Sequence, residues 1–264
     1  MTLRGHRALA VDLPGHGFSA TIPSGYLGAQ DAAALAAQPS GMAGIGTADD
    51  VAAVTDALRR ARAHGPVVLV GASRGGLTLT AVGNAAPELV DRLVYVSAWC
   101  CVDATVTEYA AGPENARSLL PHTGLVPLAD PAQIGAIRLN RRTGDPEVLD
   151  KLQAALLADG TREELIAYTH TQDPDEALTV DEAATRGDAA TWGRIPRTYV
   201  RLTADRAMPL ALQDRFIAEA DALTPDNPTD VRSIDSGHLR FQIHPAELAA
   251  ILDGLAGPVT AAAR

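Results

Sequence analysis

Lysine is nearly missing from this sequence: Lys151 stands alone, so almost all of the 22 basic residues are arginine, a bias that carries no mechanism of its own. Acidic residues number 32 and the net charge is −10. A chain of that sign is a poor fit to nucleic acid or an anionic membrane, both of which are bound through basic surface. Cysteine occurs only as the adjacent pair Cys100 and Cys101. Neighbouring cysteines fit disulfide geometry poorly, and two thiols without a second cluster make a poor zinc site, so the pair reads as reduced thiols in a cytoplasmic protein. No apolar run approaches the ~20 residues of a membrane span. Residues 1–7 lack the apolar stretch of an export signal. What is present is ordinary: 47% hydrophobic and 20% charged residues. That balance excludes disorder for most of the chain and suits one large globular domain or two small ones.

Five short β-rich runs stand out, at residues 7–13 (RALAVDL), 66–71 (PVVLVG), 92–98 (RLVYVSA), 197–203 (RTYVRLT) and 230–235 (DVRSID). The middle three are almost continuously apolar, as in strands buried on both faces of a parallel sheet. Helical stretches separate the runs. Residues 47–63 open with Thr-Ala-Asp-Asp, a capping and dipole-friendly start. Residues 76–86 are small and apolar, and 210–222 and 245–255 are amphipathic, with Pro245 suited to a first helical turn. The alternation predicts an α/β fold with a mostly parallel, doubly wound sheet and right-handed crossovers. Residues 102–194 break it. They contain no convincing strand but helix-like stretches near 131–140, 146–158, 162–169 and 180–184, and about 90 residues are too many for a plain connection. The expectation is a helical cap at 102–194 inserted over a core made of residues 1–101 and 195–264. Residues 19–46, rich in Gly, Ala and Pro, read as part loop, and there is no internal repeat.

Gly71-Ala72-Ser73-Arg74-Gly75 follows one of the buried-type strands and precedes a helix. A serine on so tight a strand-to-helix turn is strained, and the turn demands small residues two before and two after, which Gly71 and Gly75 supply. The Arg74 N–H then lies at a helix N-terminus, facing a developing oxyanion. The bland alternative is a Gly-rich turn with an incidental serine. A serine nucleophile needs a base, and the base an orienting carboxylate. His238, in Asp235-Ser236-Gly237-His238-Leu239, falls after the last strand, where loops emerge at the carboxyl ends of the strands. Its competitor His244 precedes Pro245 and reads as capping or solvent-facing. Asp205, directly after the 197–203 run, is the expected acid; its alternative role is an N-cap of the next helix, and Asp103 is a reserve acid. Trp99, Tyr109, Tyr168 and Trp192 are pocket candidates, with plain core packing as the rival reading.

The segments VDLPGHGFS, VVLVGASRGG, LVYVSAWC, YVRLTADRAMPLALQDRFIAEAD and DSGHLRFQIHPAEL together resemble an α/β-hydrolase, most of all the branch holding plant methyl esterases, hydroxynitrile lyases and bacterial esterase relatives. The resemblance covers about residues 4–255, weakly through 102–194. It implies Ser73 as nucleophile, His238 as base, Asp205 as acid, no cofactor, and a small carboxylic ester as the molecular partner, and it leaves oligomeric state open. In the lyases of this branch a lysine follows the triad histidine; here that position is Leu239, a pocket candidate, so ester hydrolysis is favoured over cyanohydrin cleavage. Perhydrolase-type activity on the same triad and a catalytically impaired ligand-binding protein remain the alternatives. A dehalogenase would need an aspartate where Ser73 stands.

One departure from the family pattern has physical consequences. A strand ending in His-Gly normally precedes VDLPGHG, and the loop after it supplies a second oxyanion donor. Here only Met1 to His6 precede the 7–13 run, and neither His6 nor His16 sits in that context. The expectation is a sheet missing a central strand, with unpaired backbone groups beside the gap, and an oxyanion hole reduced to the Arg74 N–H. A start assigned too late is the preferred explanation over a shortened, weakened hydrolase, because triad and cap look intact.

Overall fold

Strands form where the apolar runs predicted them, with one exception. In the computed structural model, which describes residues 1–262, a four-stranded sheet is built from β1 (Val68–Ser73), β2 (Arg92–Ala98), β5 (Arg197–Leu202) and β6 (Asp230–Ile234), in the order β1-β2-β5-β6 and parallel throughout. Two further short strands, β3 (Ala136–Arg138) and β4 (Asp175–Ala177), pair antiparallel outside it. The helices are α1 (Ala32–Ala37), α2 (Thr47–Arg62), α3 (Gly75–Ala85), α4 (Val106–Ala111), α5 (Pro131–Ile134), α6 (Pro146–Leu156), α7 (Arg162–His170), α8 (Leu210–Leu223), α9 (Arg240–Ile243) and α10 (Ala246–Ala262).

Period-two alternation splits the buried residues of the sheet between two cores. Leu93, Tyr95 and Tyr199 face one way and pack with Val54 and Leu58 of α2, Leu77 and Val82 of α3, and Phe216 of α8. Val94, Val96, Val200 and Leu202 face the other and pack on Leu248, Ile251, Leu252 and Leu255 of α10. The spacing of these last four residues makes one helical stripe. Covered on both faces, β2 is buried from Leu93 to Ala98, which explains its continuous apolar run, whereas the edge strand β6 leaves Val231, Arg232 and Ser233 exposed.

The 7–13 run is the exception: it is not a strand. Among the described residues β1 pairs only with β2, and a run of strand-like residues without a ladder partner has nothing to fix it as a strand. Leu9 is 69% exposed and Val70 39%. A cleft of about 720 Å³, lined by His6, Leu9, Val11, Val54, Leu58 and Val70 among others, separates the run from β1.

Local capping also departs from expectation. Thr47 is inside the first turn of α2; the cap is Gly46, whose N–H donates to Asp49 Oδ2 at 3.0 Å. The Thr47 hydroxyl instead accepts from the Asp181 N–H at 2.9 Å, tying α2 to the β2–β5 connection. Within that connection the helix expected near 131–140 stops at Gly135, which adopts a left-handed conformation (φ 77°) and turns the chain into β3. Arg138 of β3 is fully buried, with its guanidinium bidentate on Asp175 of β4 at 2.6 Å. A buried ion pair of this kind has no hydropathy signature, so the antiparallel β3–β4 pair was not predicted. Residues 180–184 form a turn capped by the Asp181 carboxylate, at 3.0 Å from the Ala183 and Ala184 N–H groups, rather than a helix. Among the described residues no helix is long and apolar enough to cross a membrane.

Candidate active site

Ser73 ends β1 with φ +51°, a left-handed conformation unusual for a residue with a side chain. The β1–β2 register slips between Ala72 and Ser73, so the chain leaves the sheet sharply into α3. The turn is tight on both sides of Ser73, but not at every glycine. A Cβ on Gly71 would lie 2.4 Å from Leu79 Cδ1, and one on Gly76 2.1 Å from the Trp99 carbonyl oxygen, whereas one on Gly75 would meet nothing within 4 Å. The second small residue that the elbow requires is therefore Gly76, not Gly75.

His238 lies in the loop between β6 and α9, and its Nε2 is 3.0 Å from Ser73 Oγ. Its Nδ1 is 2.6 Å from Asp205 Oδ2. The carboxylate requires Nδ1 to carry the proton, which leaves the Nε2 lone pair for the serine hydroxyl. Both residues are nearly buried, at 8% and 7% exposure. Asp205 Oδ1 accepts the Ala207 and Met208 N–H groups at 2.7 and 2.8 Å, bracing the turn that leads to α8; it is not the N-cap of that helix, a place taken by Pro209. The turn holding Asp205 is fixed by Gln213 of α8, fully buried, whose amide bonds the Leu202 N–H and C=O and the Met208 C=O. A hydrogen bond from the Ala204 N–H to the Ser236 carbonyl, 3.2 Å, joins the acid and histidine loops.

Sequence reasoning missed Ser97. It sits at the β2 end of the register slip with φ +39°, is fully buried, and donates its hydroxyl to Asp205 Oδ2 at 2.7 Å. Its one signal was a polar residue interrupting the apolar run LVYVSA. Arg74 caps α3, where its N–H has no helical acceptor, and its side chain reaches toward Glu176 of β4 at 3.7 Å. Glu176 also pairs with Arg141 at 3.0 Å, and His16 lies 3.5 Å from Asp173, making a charged rim next to the Ser73 turn. Asp50 belongs to this rim; burial raises its pKa, opposed by Arg74 and His16.

The other candidates lie elsewhere. His244 is half-exposed and pairs with Glu164 at 2.7 Å. Asp103 is exposed, and its backbone N–H donates to the Tyr109 hydroxyl at 3.1 Å. Tyr109 and Trp192 are core residues at 1% and 0% exposure, with Trp192 Nε1 donating to Tyr95 at 2.8 Å, so neither presents a face to a substrate. Leu239 is buried with Leu152, Leu157 and Leu165, and Tyr168 packs at the margin of that cluster. Trp99 is partly buried, edge-on to Phe216 at 5.7 Å. Among the described residues no group of three or more His, Cys, Asp or Glu side chains is arranged to hold a metal ion.

Comparison with solved structures agrees with this architecture. A serine-to-alanine variant of a pyrethroid hydrolase superimposes with a TM-score of 0.64 at 21% identity, covering 97% of this chain and 88% of that one. Polyneuridine aldehyde esterase gives 0.60 at 16% identity over 79% of this chain and 78% of that one. A histidine-to-alanine variant of tomato methylketone synthase I, complexed with beta-ketoheptanoate, gives 0.60 at 17% over 98% and 90%. Identities this low establish a shared fold and no more. No curated protein matches the sequence. The family model of the alpha/beta hydrolase family does match, over residues 2–251, and the chain belongs to that family.

Proposed function

We propose that the chain is a serine esterase that cleaves small carboxylic esters through Ser73, His238 and Asp205. The observation that carries this reading is the continuous relay from Ser73 Oγ to His238 to Asp205, at 3.0 and 2.6 Å, beginning at a positive-φ elbow. His238 Nε2 takes the serine proton as Oγ attacks the ester carbonyl, and the tetrahedral oxyanion leans on the Arg74 N–H at the start of α3. The protonated ring then gives its proton to the departing alcohol. Water repeats the sequence on the acyl-enzyme, returning the acid and free Ser73. Asp205 keeps the ring in the productive tautomer and balances its positive charge. Two of the structural neighbours are named as a hydrolase and an esterase, in keeping with this chemistry.

A lyase reading finds less support. Leu239, the residue after His238, is apolar and buried, and the lone lysine Lys151 pairs with Glu147 on the surface of α6. The test is hydrolysis of a nitrophenyl ester series of increasing acyl length, with Ser73→Ala as control. Activity that disappears in the control supports the assignment, and the optimum chain length sizes the acyl site. Activity that survives Ser73→Ala rules it out. His238→Ala should be about as damaging, and the double variant no worse than either.

A further inference from the structure

The catalytic histidine is held from outside the sheet. The turn after α6, residues 157–160, is braced by the Gly160 N–H on the Leu157 carbonyl at 3.1 Å and by Gln153 Nε2 on the Gly160 carbonyl at 3.0 Å. From it, the Asp159 carboxylate accepts the Gly237 N–H at 2.8 Å, immediately before His238. The Asp159 carbonyl accepts Arg240 Nη1, two residues after His238, and the carboxylate lies 3.8 Å from Arg240 Nε. The Leu239 N–H donates to the Leu156 carbonyl at 2.9 Å, and further along His244 pairs with Glu164 of α7. Gly237 is packed so closely here that an added Cβ would fall 2.6 Å from Asp159 Oδ1.

We propose that Asp159 is a positioning residue for His238, binding the loop on both sides of the ring so that Nε2 stays at hydrogen-bond distance from Ser73; the proposal rests on His238 being the general base. The loop after β5 holds the same stretch from the other side, through Thr203 Oγ1 on the Asp235 carboxylate, the Ala204 N–H on the Ser236 carbonyl and the Asp205 carboxylate on the His238 ring. The bonds to Gly237, Leu239 and Arg240 come from the connection between β2 and β5, so movement of that connection moves the base. A base displaced by even 1 Å is costly, because proton transfer depends steeply on geometry.

The experiment compares Asp159→Ala and Asp159→Asn with the parent chain, reading kcat, KM, the rate of Ser73 labelling by a fluorophosphonate, and thermal stability. Asp159→Ala should lower kcat and the labelling rate together by about 10- to 100-fold, with KM changed by less than about threefold. Asp159→Asn should recover most of the loss, since its amide oxygen accepts the same Gly237 N–H. Gly237→Ala should be harmful in the parent and much less so beside Asp159→Ala, because the clashing carboxylate is then gone. The proposal is overturned if Asp159→Ala leaves kcat and labelling unchanged. It is equally overturned if Asp159→Asn is as impaired as Asp159→Ala, since the bond to Gly237 would then not be the cause. Should the parent's activity survive Ser73→Ala, the esterase reading itself has failed; a Ser73-dependent parent with a fully active Asp159→Ala variant refutes Asp159 alone.

Discussion

The Ser97 hydroxyl and the His238 ring meet on one oxygen of Asp205, at 2.7 and 2.6 Å. With the Ala207 and Met208 N–H groups on the other oxygen, Asp205 accepts four hydrogen bonds and keeps no bare lone pair in a buried site. Ser97 holds a positive φ to reach that position.

Removing the hydroxyl leaves the carboxylate short of a charge-assisted bond, worth about 1.5–3 kcal/mol. Ser97→Ala should therefore be destabilised by that order and should lose roughly tenfold in kcat. Ser97→Gly, which loses the same bond but tolerates the backbone, should be the more stable of the two. Denaturant melts and ester kinetics check both; parent-like behaviour of Ser97→Ala would show that the bond is dispensable.

The glycines of the elbow should separate sharply. Gly76→Ala sets a Cβ 2.1 Å from the Trp99 carbonyl oxygen, and Gly71→Ala sets one 2.4 Å from the Leu79 side chain and 2.9 Å from the Gly75 carbonyl oxygen; both should be destabilised by about 1–3 kcal/mol or more, Gly76→Ala the more severely because backbone cannot yield. Gly75→Ala, with open space and an ordinary helical backbone, should melt within a degree or two of the parent. Thermal melts of the three variants are sufficient, and a ruinous Gly75→Ala would contradict the packing described for the turn.

Cys100 and Cys101 should be silent in the native protein. Both are buried and free, and burial pushes the Cys100 thiol up to about 12 and the Cys101 thiol higher still. The thiolate is the reactive form, so a disulfide reagent at neutral pH should titrate neither until the chain is unfolded, and then both. Rapid labelling of folded protein would contradict the burial.

Acid should weaken the cap boxes of α4 and α7. Backbone N–H bonds from Thr105 and Thr161 hold the Glu108 and Glu164 carboxyls below their ordinary value of 4.5, with His244 adding to the effect at Glu164. A depressed folded pKa means that stability is present above the unfolded value and is lost as pH falls through the folded one. Melting temperature should fall below about pH 4.5, and the fall should be shallower in Glu108→Gln and Glu164→Gln. An unchanged pH profile in both variants would count against the boxes.

Several parts of this molecule were legible without coordinates because each follows from a local rule. Four of the five β runs, the serine elbow, and the order Ser73, Asp205, His238 all rest on buried-strand composition or on the positions of loops after strands. The 7–13 run misled because its composition is that of a strand while strand formation depends on a neighbour the run does not have. Asp159 and Gln213 were invisible for a related reason, since each acts through a bond to a residue distant in sequence, and Ser97 left only the interruption of an apolar run, which does not say what the hydroxyl bonds. The antiparallel β3–β4 pair hides behind Arg138 and Asp175, which read as surface residues until they are found buried together.

The open side of β1 sets an alternating rhythm of solvent protection. The Val67 carbonyl accepts from Asp91 on the β2 side, and successive residues of a strand point their peptide groups to opposite sides. Leu69 and Gly71 are thereby locked into the ladder, while Val68, Val70 and Ala72 turn theirs toward the cleft. Deuterium uptake along β1 should follow that beat, with fast amides at 68, 70 and 72 between slow ones. The serine thus stands at the end of a strand anchored along one flank only, and its positive φ must be held by β2, α3 and the loops above them.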